Sequence, residues 1–314
     1  MFRWRCRRSD AFLQYKSAQA RYGETGGIHP LIWNRSVPTS TLLPHVFYQD
    51  AGEAIVWLTE TFGFSEHYRY GEPGGPPSGA QMHLGDAWIM VKTARTGDGT
   101  PAQLGAATQS LTVFVEEVDA HFQRTKSKGA RIVEELHETV YGERQYGVED
   151  FAGHHWLFSW HARDLNPQEW GAAVSHPATI KPQISPMLAV RDGNAAIEFY
   201  KRAFDAKVLW HLQGGGHVVA GLSVQGAQFF LAEESPRYGT QSPAAAGFTT
   251  VRIELFVDDP VAVHARGLAA GAVEHSPVME HKHSTSGPHP IRKMVQGALI
   301  DPFGHMWLIG KILE

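Results

Sequence analysis

The sequence predicts an α+β protein assembled from four βαβββ modules, and three observations lead there. Residues 41–65, TLLPHVFYQDAGEAIVWLTETFGFS, return as residues 183–207, QISPMLAVRDGNAAIEFYKRAFDAK. Both copies run through an apolar strand, an Asp (Asp50, Asp192), an Ala-Ile pair and a final Phe (Phe62, Phe204). Each copy also closes on one kind of segment, Asp150-Phe-Ala-Gly-His-His-Trp156 and Asp301-Pro-Phe-Gly-His-Met-Trp307. Inside each copy the strand–helix–strands pattern occurs twice. A unit of roughly 140 residues is far longer than the 20–50 residues of a solenoid repeat. A whole domain has therefore been duplicated.

Taken in order, β-branched and aromatic runs bounded by Gly and Asp predict strands over 42–48, 80–84, 87–92, 110–116, 131–136, 144–149 and 154–160. Ala54, Ile55, Leu58 and Phe62 share one helical face, which predicts a helix over 51–62. A second is expected over 118–128, ending at Gly129. Copy two repeats the order, with a strand at 184–190, a helix at 193–204 and strands to 233. A strand at 250–257, a helix at 260–270 and strands to 310 complete it. Residues 71–79 and 235–247 are rich in Gly, Pro and Ser and read as loops of the kind that border binding sites. Residues 161–183 read as a linker in which Trp170 is expected to pack. The first 40 residues are Arg-rich and acid-poor, without the amphipathic pattern of a transit peptide or the apolar stretch of a secretory signal. They are expected to form a tail with little structure.

Composition narrows the function classes. At 314 residues, with 43% hydrophobic and 19% charged residues, the chain has the material for two ordinary soluble cores. A net charge of −4 gives no basic surface for nucleic acid. No apolar run reaches the roughly 18–20 residues needed to span a bilayer. The single cysteine, Cys6, excludes an internal disulfide and fits a reducing, cytoplasmic setting. No Gly-rich phosphate loop and no G-x-S-x-G elbow is present.

Paired βαβββ modules with this opening, closed by DPFGHMW at 301–307 and YGERQYGVEDFAGHHWLFSW at 141–160, resemble the vicinal oxygen chelate superfamily. That superfamily includes glyoxalase I, extradiol dioxygenases and the fosfomycin- and bleomycin-resistance proteins. The resemblance implies two glyoxalase/bleomycin-resistance-like domains in tandem, at 41–162 and 183–314. They are joined by a linker at 163–182 and preceded by the tail at 1–40. It further implies that the paired modules of each copy curl around a concave site of their own, that His154 and His305 help close the sheet, and that one chain can mimic the dimer of single-copy relatives. A monomer or weak homodimer is expected.

Side chains alternate between the faces of a strand, so one face packs on the helices and the other lines the concavity. Metal-dependent relatives place His or Glu at four inward positions. In copy one these positions are Leu43, Met90, Ser110 and Leu157, and in copy two Ser185, Phe230, Arg252 and Leu308. None is a His, Asp or Glu, so no metal and no cofactor is expected. Neighbouring inward residues are His45, Phe47, Trp88, Thr112, Phe114 and His155 in copy one, and Met187, Gln228, Arg252, Glu254, Phe256 and Met306 in copy two. Of these, His45, Phe47, Trp88, Thr112, His155, Gln228, Arg252 and Glu254 are the candidate ligand contacts, because an aromatic lining with a few polar groups suits a small organic molecule. The plainer alternative is that the aromatics fill the core and that Arg252 and Glu254, two apart on one strand, pair with each other.

Histidine is frequent, at 18 residues. His45 with His155 can be drawn as a two-histidine site or an acid/base pair, although no carboxylate partner is visible in the sequence. EHKHSTSGPH supplies Glu280, His281, His283 and His289, a zinc- or nickel-like composition that reads more simply as a solvated polar loop. The expected function is metal-free binding of a small organic molecule, of the sequestration or resistance type. The alternative is a metal-dependent lyase, isomerase or dioxygenase using a displaced metal site.

Overall fold

The computed structural model describes residues 42–72, 74–95, 98–174, 184–214, 217–282 and 293–313. The first module runs β1 (Leu42–Tyr48), α1 (Ala51–Thr61), β2 (Ser65–Gly71), β3 (Pro77–Leu84) and β4 (Ala87–Thr93). The second runs β5 (Gln109–Phe114), α2 (Val118–Ser127), β6 (Arg131–Glu138), β7 (Glu143–Glu149) and β8 (His155–His161). A two-residue strand, β9 (Ala173–Val174), leads to the third: β10 (Ile184–Val190), α3 (Gly193–Phe204), β11 (Lys207–Gly214), β12 (His217–Val224) and β13 (Ala227–Glu233). The fourth is β14 (Val251–Phe256), α4 (Pro260–Ala270), β15 (Val273–Lys282), β16 (Lys293–Ile300) and β17 (Met306–Ile312). The four βαβββ modules are thus present as the sequence predicts. The Asp repeated after each opening strand caps the helix that follows. Asp50 accepts from the backbone N–H groups of Gly52 and Glu53, and Asp192 from that of Ala195. Each cap satisfies donors that have no partner within the helix.

The sheets do not follow the repeat. One has eight strands in the order β15-β16-β17-β14-β1-β4-β3-β2, and the other has nine, β6-β7-β8-β5-β10-β13-β12-β11-β9. Each sheet therefore joins one module of copy one to one module of copy two. The seams are antiparallel and equivalent: β1 pairs β14, with His45 opposite Arg252, and β10 pairs β5, with Met187 opposite Ser110. Thr108 and Thr250, which precede the two seam strands, share a 2.7 Å hydroxyl–hydroxyl hydrogen bond. The chain is in effect an internal pseudo-dimer.

The cores do follow the repeat. One gathers Val46, Ile55, Leu58 and Ile89 with Leu111, Val113, Phe122 and Trp156, all from copy one. The other gathers Leu188, Ile197, Tyr200 and Phe229 with Ile253, Leu255, Val263 and Trp307 from copy two. Each copy buries the helix side of both its modules, whereas each opposite, helix-free face is shared between copies.

The closing segments hold these cores shut. Asp150 Oδ1 accepts from the backbone N–H groups of Ala152 and His154, and its Oδ2 accepts from Tyr48 Oη at 2.7 Å and Trp156 Nε1 at 3.1 Å. Asp301 repeats the arrangement with Phe303, His305, Tyr200 at 2.7 Å and Trp307 at 3.0 Å. Copy one supplies the tyrosine from a strand and copy two from a helix, yet the hydroxyl reaches the same oxygen. Gly153 and Gly304 occupy left-handed backbone at φ 85° and 90°, which glycine adopts without a Cβ clash. His154 and His305, in the turns before β8 and β17, donate through Nε2 to the carbonyls of Phe47 and Ala189, each on a strand of the other sheet.

Some elements differ from the sequence expectation. β2 lies in a polar run, SEHYRYG, that was not expected to be a strand, and β3 begins at Pro77 inside the expected 71–79 loop. The segment 235–247 contains a turn of 3-10 helix, Pro236–Tyr238, and a short helix, Pro243–Ala246. In the linker, Trp170 packs edge-on against Trp210 with ring centroids 5.4 Å apart, as expected for a partly ordered segment. The tail at 1–40 with Cys6, linker residues 175–182, and His283 and His289 lie outside the described residues.

Candidate functional site

Strand register fixes which side chains share each helix-free face. On the eight-stranded sheet one row crosses Met306, Arg252, His45, Met90, Gln81 and Tyr68. Glu254 and Leu43 lie opposite each other to one side of it, and Phe47, Lys92 and Gly79 align on the other. On the nine-stranded sheet Thr112 registers with Leu157 and Ser185, Ser110 with His155 and Met187, and Phe230 with Met187. All eight positions inferred as inward are outside the two hydrophobic cores, but they regroup across copies. Leu43, Met90, Arg252 and Leu308 belong to one sheet, and Ser110, Leu157, Ser185 and Phe230 to the other.

The face of the eight-stranded sheet is charged. His45 is 3% exposed and Glu254 7%, and His45 Nε2 donates to Glu254 Oε2 at 2.9 Å. Gln296 on β16 donates to the other carboxylate oxygen. Burial opposes the Glu254 charge, but the His45 bond, Lys92 and Gln296 outweigh it and hold the carboxyl below its usual range. Burial, assisted by the Lys92 charge and opposed by Glu254, lowers His45 from 6.5 to about 4. His45 is therefore a neutral imidazole at pH 7, protonated on Nε2, with a lone pair on Nδ1. That Nδ1 has no hydrogen-bond partner. Arg252 pairs with Asp98 at 2.8 Å and lies over the Phe47 ring, 5.0 Å from its centroid. Lys92, lowered from 10.5 to about 8 chiefly by burial, stands beside them.

The face of the nine-stranded sheet has its charges on the copy-one half, where Glu149 registers with His155 and Glu143 with His161. Its one ionisable candidate, His155, lies 3.4 Å from Glu149 and is lowered by burial, against the pull of that carboxylate. Thr112 is buried, and Gln228 sits half-buried on the same face as Phe230. Position by position, Met187 and Thr112 stand here where His45 and Glu254 stand on the other face.

Three expectations are corrected. His45 and His155 cannot form one site, because the crossed topology puts them in different sheets, and each has a carboxylate partner that the sequence hid. Arg252 and Glu254 do not pair with each other; each finds its opposite charge on another segment. The two concave sites do not belong one to each copy, since each face is half from either. His45, Phe47, Trp88, Arg252 and Glu254 come together, and Thr112, His155 and Gln228 come together apart from them. Sequence reasoning missed Lys92, Gln81, Gln296 and Asp98. Parity from Met90 identifies Lys92 and pairing identifies Gln81, but nothing in the sequence brings Asp98 or Gln296 to this face.

The glyoxalase/bleomycin resistance protein/dioxygenase superfamily model matches residues 41–158 and again 182–309. The chain belongs to that superfamily. An uncharacterised protein of Mycobacterium bovis is 31% identical over 139 residues, which is 43% of this chain and 91% of that protein. A counterpart in Mycobacterium tuberculosis has the same identity over 82% of its length. Among solved structures, glyoxalase I from Zea mays superposes with a TM-score of 0.61 at 16% identity, covering 87% of this chain and 92% of that one. A putative dioxygenase from Bacillus subtilis gives 0.57 at 10% identity, covering 88% and 86%. At these identities the structural likeness concerns the fold.

The metal of metal-dependent relatives needs imidazole and carboxylate ligands converging on one point. The eight-stranded face offers one such pair, His45 and Glu254, already bonded to each other and flanked by Arg252, Met90 and Leu308. Among the described residues no group of three or more His, Cys, Asp or Glu side chains is arranged to hold a metal ion. The donor set does not fit one. No membrane-spanning helix is present among the described residues either.

Proposed function

We propose that the chain binds a small organic molecule, without a metal ion, on the helix-free face of the eight-stranded sheet, as a sequestering or carrier protein does. The observation that carries this reading is where unsatisfied polar atoms collect. Among the described residues six buried side-chain N or O atoms lack a partner, and four of them are on this face: His45 Nδ1, Gln81 Nε2 and Oε1, and Arg252 Nε. A buried polar atom left unpaired costs about 1–3 kcal/mol, and a bound molecule that supplies donors and acceptors returns that cost. Phe47, Trp88 and Met90, all buried on the same face, suit an apolar or aromatic body with a polar edge.

The test uses Gln81→Met, which keeps volume and removes two orphaned atoms. Stability should rise by about 1–3 kcal/mol while affinity for the ligand falls roughly tenfold or more. Ligands are found by calorimetry against a panel of small aromatic and heteroaromatic compounds. A stability loss with unchanged affinity would contradict the proposal. A second reading, proton transfer by His45, is favoured by one feature: Glu254 fixes the tautomer that leaves the Nδ1 lone pair free, as an orienting carboxylate does for a general base.

A further inference from the structure

We infer that Lys92 captures a carbonyl compound as an imine, its Nζ attacking an aldehyde or ketone seated on the helix-free face of the eight-stranded sheet. This rests on the binding reading above and names the ligand class. The face holds the Glu254 carboxylate against the neutral imidazole of His45 and an Arg252–Asp98 ion pair, and Lys92 adds a further cation. Among the described residues Lys92 makes no hydrogen bond and no ion pair. It registers between Phe47 on β1 and Gly79 on β3. Gly79 brings no side chain, and the Tyr70 hydroxyl fills the space where its Cβ would be. An aromatic ring thus lies on one side of the amine and a phenol on the other. Lys92, Tyr70 and Arg252 are half-buried, whereas His45, Phe47 and Gln81 are fully buried, so an incoming molecule can reach the amine from this end of the face.

The surroundings make the amine a nucleophile. Burial acts first against its ammonium form, and Arg252 and Arg95 add to that; Glu254 and Asp98 oppose it. The outcome, about 8 rather than 10.5, leaves about 300-fold more free amine at neutral pH than on an exposed lysine. A poorly solvated lysine beside another cation is the recognised way to activate an amine towards carbonyl carbon. The step balances without a co-reactant. Nζ forms a bond to the carbonyl carbon, a proton passes to the oxygen, and the carbinolamine loses water to give the imine. Tyr70 is placed to hand the proton to the departing hydroxyl, its own ionisation being pushed to about 12, chiefly by burial.

The experiment treats the full chain with benzaldehyde and cyanoborohydride and maps the reduced adduct by mass spectrometry, with benzyl alcohol binding measured by calorimetry in parallel. Expected is one adduct on Lys92, formed at least about tenfold faster than on exposed Lys126 or Lys128, with a rate that climbs through pH 8. Lys92→Arg, which keeps the cation, should lose the adduct and still bind the alcohol. Adduct spread evenly over the lysines, with the alcohol still bound, overturns the imine and leaves the binding reading standing. Even labelling with no alcohol bound overturns both for aromatic ligands.

Discussion

Replacing Asp150 with Asn changes one atom and breaks one hydrogen bond beyond repair. Oδ1 of the Asn still accepts from the backbone of Ala152 and His154, whose bonds are 3.0 and 2.9 Å in the native corner. The amide nitrogen replaces Oδ2, which accepts from both Tyr48 and Trp156. Tyr48 can rotate its hydroxyl and accept instead. The indole N–H of Trp156 cannot, and it then faces another donor in a fully buried place. An orphaned buried donor costs about 1–3 kcal/mol, and loss of a carboxylate-assisted bond from Tyr48 brings the expected total to roughly 2–4 kcal/mol. At about 1.5–2 °C per kcal/mol for a chain of this size, the melting midpoint should fall by roughly 3–8 °C. Differential scanning calorimetry measures it, and Asp301→Asn should fall within the same range because its four bonds are the same in kind and length. A shift below about 1 °C in either variant would refute the argument that these carboxylates hold the corners shut.

Two further outcomes follow from the charges. His45 and His121 are both lowered from 6.5 to about 4, each chiefly by burial, so the unfolded chain binds more protons than the folded one between those values. Their contribution is complete above pH 6.5 and is lost as pH falls through 4, on the order of 3 kcal/mol for each. Urea titrations at pH 7 and 4.5 should show the loss, His121→Asn should shrink it, and a flat profile would remove its basis. Arg252→Met should leave the Asp98 carboxylate, 6% exposed, without its cation, at a cost of roughly 3 kcal/mol. If the double variant with Asp98→Asn is no more stable than Arg252→Met alone, the pair is not the reason.

How much of this was legible in the sequence depended on range. Asp50 and Asp192 marked helix starts, and Ala54, Ile55, Leu58 and Phe62 marked a helical face, because both signals act within a few residues. Parity along a strand likewise separated Val46 from His45 and Phe47, because pleating sets it locally. β2 was missed because SEHYRYG is a half-buried strand with polar residues on both faces, which leaves no period-two pattern. The pairing of His45 with Glu254 spans 209 positions and depends on which copy each module joins. The repeat suggested that each copy would enclose its own site, and it was silent on the crossing that places half of each face in either copy. Asp98 and Gln296 had no local signature and are explained by that crossing alone.

The crossed seams also impose an order on synthesis. When the first copy has left the ribosome, β1 has β4 on one side and nothing on the other, and β5 has β8 and nothing. Both are central strands of the finished sheets, with apolar side chains and unpaired backbone groups. A bare edge of this kind invites pairing with any passing chain. Their partners β14 and β10 follow only as the second copy is made, and at about 5–20 residues per second the wait for β14 lasts roughly 5–20 seconds. A single-copy ancestor would have closed the same edges by meeting a second chain, at a rate that depends on concentration. Tethering makes the meeting intramolecular and shortens the exposure to the time of translation, a benefit that applies whatever either face binds.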